Sequence, residues 1–322
     1  EGSLRGNLTG WCNTALGKSA LHQNLVGCRN TGIGYLALFC NKSGSNTAVG
    51  AKALNRNVSG SDNNAIGVGA LECNNSGNDN IAFGNGTLGM NVSGDGNIAI
   101  GDGTMFCNQA SYNIGLGHKA LYGNVSGQHN VAIGVCALRC TTTSENTAVG
   151  YHALCGNISG YCNVAVGFCT LRNGGTYQST AVGHGALKNT TGLQQTAVGA
   201  GALGSTFYSY GNTAVGFNSL NGNLAGVHNT AVGTRALQYN TTGKCNVAVG
   251  AFSLDNAAMN GECNTGLGTS ALGGFVDGDD NTAVGALAGL NLDSGDNNIM
   301  VGYNAQPSAT LVSNEITLGD TN

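Results

Sequence analysis

Short apolar triplets recur along the chain, most of them preceded by Asn and all followed by Gly, with polar turns rich in Asn, Ser and Gly between them. The phrase Asn46-Thr47-Ala48-Val49-Gly50 is typical, and nineteen glycines from Gly17 to Gly319 close such a triplet every 16 to 18 residues. A fixed short period indicates a solenoid, whose repeats bury their apolar side against their neighbours. Because this period is too short for a helix-pair repeat, we predict an all-β protein: a β-solenoid or β-roll of about 18 coils.

One repeat predicts two strands and two turns. Thr47-Ala48-Val49 has the alternation of a strand, and Ala53-Leu54 predicts a second, shorter one. The glycine after the triplet predicts a corner with positive φ or one too tight for a Cβ. Representative corner glycines are Gly50, Gly67, Gly150 and Gly216. At ~4.8 Å per coil, the predicted coils would form an elongated rod roughly 85 Å long.

The triplet alone does not determine which residues lie inside the coil. We expect the columns of Val49 and Leu54 to fill the interior and the column of Ala48 to form a flat outer face that associates with another chain. In the alternative, the small residues line a narrow interior while Val and Leu face a subunit interface. Through residue 302 the middle of the triplet is Ala or Gly except at Met300.

We predict one repeat domain over residues 1–302, followed by a C-terminal tail or cap segment over residues 303–322. Charged residues make up 9% of the chain, the net charge is −4 and no basic run occurs, so no electrostatic footprint for nucleic acid is present. No apolar run reaches the ~18 residues of a membrane span, so we expect no membrane insertion.

The twelve cysteines suggest either an oxidising destination or buried thiols. Four of them, Cys40, Cys73, Cys107 and Cys140, occupy alternate repeats and reveal a double repeat of 33–34 residues. Because two coils span ~9.6 Å, beyond the ~7 Å limit between bridged Cα atoms, these four cannot bridge one another. The candidates for disulfides lie about one coil apart: Cys245 with Cys263, Cys12 with Cys28, and Cys140 with Cys155.

Two further sets of residues are candidate sites. Candidates for N-glycosylation are Asn57, Asn91, Asn124 and Asn157, which fall in Asn-x-Ser motifs, although turn chemistry also favours Asn near Ser. Weak candidates for calcium binding are Asp62, Asp79 and Asp95 in successive turns; the alternative is that they are solvated turn residues. No catalytic constellation is visible, so we expect no enzyme, no catalytic residue and no cofactor.

The phrases Asn46-Thr47-Ala48-Val49-Gly50 and Gly150-Tyr151-His152-Ala153-Leu154 resemble the repeats of bacteriophage and giant-virus tail fibres. They resemble more loosely the left-handed β-roll heads of trimeric autotransporter adhesins. The sequence from Ile299 to Gly319 is similar to the region that, in such fibres, precedes an endosialidase-type intramolecular chaperone. The resemblance implies a left-handed coil, a homotrimer, and attachment to host surface glycans or a receptor.

We therefore expect a non-enzymatic structural fibre or adhesin shaft, extracellular or on a virion surface, that spans distance and presents turn residues or a missing tip for attachment. The alternative is a subunit of a self-assembling extracellular filament in which solenoids, glycosylated or not, stack end to end.

Overall fold

The computed structural model describes residues 2–256, 260–275 and 277–319, and none of these residues lies in a helix. The fold is a parallel β-solenoid of about 18 coils, which confirms the predicted fold class. The chain divides into two compact units, Glu1–Cys162 (unit 1) and Asn163–Asn322 (unit 2). This division falls inside the region predicted as one repeat domain.

Unit 1 contains nine three-residue strands, and each pairs in parallel with the next. They are β1 (Thr14–Leu16), β2 (Thr31–Ile33), β3 (Thr47–Val49), β4 (Asn64–Ile66), β5 (Ile81–Phe83), β6 (Ile98–Ile100), β7 (Ile114–Leu116), β8 (Val131–Ile133) and β9 (Thr147–Val149). The register aligns equivalent residues of successive triplets, so that Ala48 lies opposite Ala65. Sequence columns therefore become physical ladders.

The described residues of unit 2 form twelve strands. They are β10 (Val164–Val166), β11 (Thr180–Val182), β12 (Asn189–Thr190), β13 (Thr196–Val198), β14 (Ser205–Thr206), β15 (Thr213–Val215), β16 (Thr230–Val232), β17 (Val247–Val249), β18 (Thr265–Leu267), β19 (Thr282–Val284), β20 (Ile299–Val301) and β21 (Ile316–Leu318). Strands β12 and β14 pair with each other, and the other ten form one parallel ladder. Because β21 pairs in register with β20, residues 303–319 of the predicted tail form another coil; residues 320–322 lie outside the described residues.

The corner glycines adopt the predicted backbone conformation. The φ angles of Gly50, Gly67, Gly150 and Gly216 lie between 134° and 139°, a region that residues other than Gly rarely adopt. A Cβ on Gly67 would lie 2.3 Å from the carbonyl oxygen of Gly84 in the next coil. The coils approach too closely at this corner for any side chain, which explains the period of the sequence.

The predicted second strand at Ala53-Leu54 is wrong, because this segment is a turn. Leu54 has a φ of 48° and is fully buried. A left-handed conformation costs an L-residue about 1–2 kcal/mol, whereas burial of a Leu side chain contributes about 1.5–3 kcal/mol. Burial outweighs the backbone strain, and the Leu54 amide also donates to the carbonyl of Ala70 (2.9 Å).

The expected assignment of the interior is wrong for two of its three columns. Ala48 and its equivalents are buried, whereas Val49 and its equivalents lie on the outside, where Phe83 is 51% exposed. The alternative assignment is right for these columns but wrong for Leu54, which is inside. A coil of seventeen residues encloses little space, so two small residues and one Leu occupy most of it.

Asparagines, which the sequence pattern did not place inside, fill the remainder of the interior. In the coil of β4, Asn63 and Asn74 are fully buried, and both Nδ2 groups donate to the carbonyl oxygen of Gly77 (2.8 and 2.9 Å). Asn63 Oδ1 accepts the backbone N–H of Asn80 (3.0 Å) in the next coil. Buried amides cost free energy unless their groups are bonded, and these ladders bond them from coil to coil.

Unit 2 has the same asparagine ladders, with interruptions. Asn229 and Asn240 both donate to Gly243 O (2.8 and 3.0 Å). At Gln195 the ladder changes chemistry, because the longer amide donates to the Ser209 hydroxyl (2.9 Å). Both residues are 1% exposed, so this Gln195–Ser209 hydrogen bond lies in the core.

Candidate association surface

The outer face of the strand ladder in unit 1 is an exposed apolar surface. The third residue of each strand points outward, and Ile66, Phe83 and Ile100 are 36%, 51% and 43% exposed. The first residue of the strand is apolar from β5 to β8 and also points outward; Ile81 is 40% exposed. Since strands lie ~4.8 Å apart and alternate residues ~6.6 Å apart, these two columns form a flat, regular strip. We call it the strip of unit 1.

Unit 2 has an equivalent surface, which we call the strip of unit 2. Among its third-position residues, Val182, Val198 and Leu267 are 36%, 38% and 45% exposed. Its first position is mostly Thr, as at Thr196 and Thr213. The strip of unit 2 is therefore more polar along one edge than the strip of unit 1. Contiguous apolar surface of this kind is typical of sites that contact another molecule.

The four candidate glycosylation residues point into the coil. Asn57, Asn91, Asn124 and Asn157 are each fully buried. The Nδ2 atom of Asn57, where a glycan would be attached, donates instead to Asn41 Oδ1 (2.8 Å) and Gly60 O (2.7 Å). A glycan at these positions is incompatible with this fold, and the Asn-x-Ser pattern reflects the interior ladder. The glycosylation prediction is corrected accordingly.

The disulfide predictions are not supported. Among the described residues, which include all twelve cysteines, none forms a disulfide. The register places Cys12 opposite Arg29 rather than Cys28, since Thr14 pairs with Thr31. Cys155 is likewise displaced by one residue from the column of Cys140. Of the three proposed pairs, only Cys245 and Cys263 share a column, two residues before the paired Val247 and Thr265.

Two thiols, one half-buried and one exposed, have a raised pKa. Cys162 Sγ donates to Glu145 Oε2 (2.9 Å), and this hydrogen bond raises the pKa of the thiol. Desolvation raises the pKa of Cys263, and the neighbouring Cys245 adds to the effect. Since the thiolate is the reactive form, both environments disfavour nucleophilic or metal-binding chemistry. Cys40 and Cys73, from the alternating cysteine column, flank Arg56 along one groove.

The structure does not gather the three candidate calcium ligands. Asp62 and Asp79 precede the ladder asparagines Asn63 and Asn80, whereas Asp95 lies one column earlier. Asp95 Oδ1 accepts the backbone N–H of Asn78 (2.7 Å), which makes it part of an outer hydrogen-bond ladder. The described residues contain no group of three or more His, Cys, Asp or Glu side chains able to hold a metal ion.

One ion pair of unit 2 has a nearly buried carboxylate. Arg235 Nε lies 3.3 Å from Asp255 Oδ2, and the Asp255 side chain is only 6% exposed. Burial raises the pKa of Asp255 to about 6, although the positive charge of Arg235 acts in the opposite direction. Its Oδ1 is buried without a hydrogen-bond partner. The carboxyl is therefore a source of instability rather than a site.

Comparison with known proteins adds no family. No family model matches the chain, and no curated protein sequence matches it significantly. The part of the chain that the structure describes contains no helix long and apolar enough to cross a membrane. The similarity to tail-fibre repeats thus stays a prediction from the quoted motifs, while the parallel β-solenoid fold is compatible with a structural fibre or shaft.

Proposed function

We propose that this protein is a non-enzymatic structural shaft, part of a fibre or adhesin on a virion or in the extracellular space, which associates with further copies of itself. The observation that carries the proposal is the pair of outward apolar columns on the strip of unit 1. A solenoid coil with its Ala, Leu and Asn side chains inside has no interior space for a substrate. Its repeated outer surface offers regular contacts instead.

The chemistry of the strip supports self-association. Ile81 and Phe83 on β5 are 40% and 51% exposed, and the same outward positions on β6, β7 and β8 are apolar at a spacing of ~4.8 Å. Burial of apolar area contributes about 25 cal/mol per Å². Few charged groups oppose the approach of a second copy, since only 9% of residues are charged. A homotrimer that joins its strips is the arrangement we propose.

The mass of the assembly in native buffer tests the proposal. Native mass spectrometry and light scattering should give a discrete trimer, and the double substitution Ile81→Lys with Phe83→Lys should reduce it to monomers with an unchanged circular dichroism spectrum. Val125→Lys is the matched control, because Val125 is 49% exposed on a turn away from the strip and should leave the trimer intact.

Two outcomes would overturn this proposal. A wild-type chain that stays monomeric at high concentration would show that the strips do not associate. Open-ended polymers, unaffected by the lysines on β5, would favour the alternative function, a filament subunit that stacks end to end through exposed strand edges.

A further inference from the structure

A slot one coil wide crosses the surface of unit 2. Its floor is the coil that follows β13, which carries Ala200, Gly201 and Gly204. In the columns of Ala200 and Gly204, both flanking coils carry larger side chains. The cavity above this floor measures about 320 Å³. Single pockets of this size, walled by apolar groups and rimmed by a few polar ones, are typical binding sites for small molecules.

Two rings form the walls of the slot. His184, Ala200 and Phe217 each follow a paired strand by two residues, so they occupy one column on three successive coils. His184 stacks on Phe168 with parallel planes and ring centroids 5.2 Å apart. One face of the His184 ring is therefore covered, and its other face is directed along the column, toward the slot over Ala200.

The spacing of the walls sets the size of the occupant. His184 and Phe217 are two coils apart, which is ~9.6 Å. One ring in contact with both walls at about 4 Å on each side needs about 8 Å. The slot therefore admits one six-membered ring between the two side chains and leaves no room for a second. Phe217 is 54% exposed and thus accessible to such a ring.

The polar rim matches hydroxyl groups. Asn221 Nδ2 donates to Gly201 O (2.8 Å) and to Asn218 Oδ1 (3.1 Å), which fixes the orientation of both amides. Each amide carries a further group, Asn218 Nδ2 as donor and Asn221 Oδ1 as acceptor, and Ser205 adds a hydroxyl. Sugar hydroxyls both donate and accept, as this rim does.

The glycine floor holds this rim in place. A Cβ on Gly201 would lie 2.2 Å from Asn218 Oδ1. Lys188 supplies the one charged group among the residues that line the slot. A neutral ring with polar edges and C–H faces thus fits better than an anion, since aromatic faces carry negative charge density that attracts C–H groups.

We propose that this slot binds one pyranose ring of a neutral saccharide, held between His184 and Phe217 with its hydroxyls on the Asn218 and Asn221 amides. The inference concerns a single coil of unit 2 and is independent of the shaft proposed above, because it requires no association between copies. It assigns ligand binding to an irregular coil rather than to the consensus repeat.

Saturation-transfer-difference NMR on the full chain tests the site with methyl glycosides of mannose, galactose, glucose and N-acetylglucosamine as probes. At least one glycoside should receive saturation, and Phe217→Ala should weaken its binding at least tenfold. Tyr303→Ala is the matched control: Tyr303 is a 64% exposed ring in the same column but outside the slot, so its loss should change nothing. Adenosine serves as a flat aromatic probe.

Three results would overturn the proposal. These are saturation of no glycoside, a signal that survives both Phe217→Ala and His184→Ala, and binding of adenosine alone, which would assign the slot to flat aromatic rings. Gly201→Ala gives an independent check that leaves both walls intact, since it should displace the Asn218 amide and weaken the same glycoside.

Discussion

The buried asparagine ladder makes a sharp prediction for Asn63→Asp. Asn63 Nδ2 donates to Gly77 O (2.8 Å) and to Asn46 Oδ1 (3.2 Å) inside the coil. In the aspartate variant a second carboxyl oxygen replaces this donor and faces two acceptors. The Oδ1 atom that accepts from Asn80 is retained, so the substitution changes charge and donor capacity but hardly any volume.

The magnitude follows from burial. Full burial raises the pKa of a carboxyl by about 3 pH units or more, and each unit corresponds to 1.36 kcal/mol. We therefore expect the free energy of unfolding of Asn63→Asp to be about 4 kcal/mol lower at neutral pH than at low pH, where its carboxyl is protonated. Because the folded pKa lies above the unfolded value of ~3.9, the folded state binds the extra proton. Its stability is present below pH ~4 and is lost as the pH rises toward 7.

Urea unfolding followed by circular dichroism at pH 4 and pH 7 measures this difference, together with hydrogen exchange at the amide of Asn80. Asn75→Asp is the matched control, since Asn75 is exposed in the same coil. The protonated carboxyl can donate to Gly77 O, so the variant should approach wild-type stability at low pH. If the two aspartate variants showed the same pH profile, the interior ladder around Asn63 would not be a dry, hydrogen-bonded core.

Three further outcomes are expected. Gly67→Ala should destabilise the fold by about 1–3 kcal/mol from backbone strain alone, plus the clash with the next coil, whereas Gly69→Ala, with φ at 64°, should cost about 1 kcal/mol; thermal melts compare them. The wild type should lose about 3 kcal/mol of stability as the pH rises from 3.8 to about 6, because its native state retains the Asp255 proton in that range. The Asp255→Asn variant should lack this pH dependence, and urea titrations across the range check the sign. All twelve thiols should alkylate without reduction in denaturant, and in the folded chain Cys136 and Cys169, 8% and 5% exposed, should react last by mass spectrometry.

The sequence was sufficient for the triplet strands and for the glycine corners that follow them, but not for the turn at Ala53-Leu54. Thr47–Val49 is a strand as the triplet predicts, and Gly50 has the positive φ that its recurrence indicates. These features are local, since β-branching and the absence of a Cβ act within a few residues. The coil number follows from counting the phrase.

The alternation of residues alone did not predict which face of each strand points into the coil. A period of two separates Ala48 from Val49 but does not say which faces inward, and hydrophobicity favours the wrong answer in a coil this narrow. Uniformity is the better signal: the Ala48 column hardly varies, whereas the Val49 column admits Phe83. The same criterion identifies the buried column of Asn63, which composition alone would place in solvent.

The proposed saccharide slot depends on a departure from the repeat. Ala200 interrupts a column that carries His184 before it and Phe217 after it. Only the register turns that interruption into a space between two rings. Sequence reasoning could have found it by comparing side-chain sizes down each column rather than by searching for motifs.

The hydrogen bond from Gln195 to Ser209 bears on how the coils come to stack in their native order. Near-identical coils can stack on wrong neighbours, so a displacement of one whole repeat would keep most ladder bonds and compete with the native order. The Gln195 amide reaches a hydroxyl that a consensus coil replaces with glycine, so this pair is lost when Gln195 is aligned with a consensus coil. Irregular coils thus disfavour stacking on a wrong neighbour. Replacing Gln195 by Asn and Ser209 by Gly should raise the population of chains whose coils are stacked out of order.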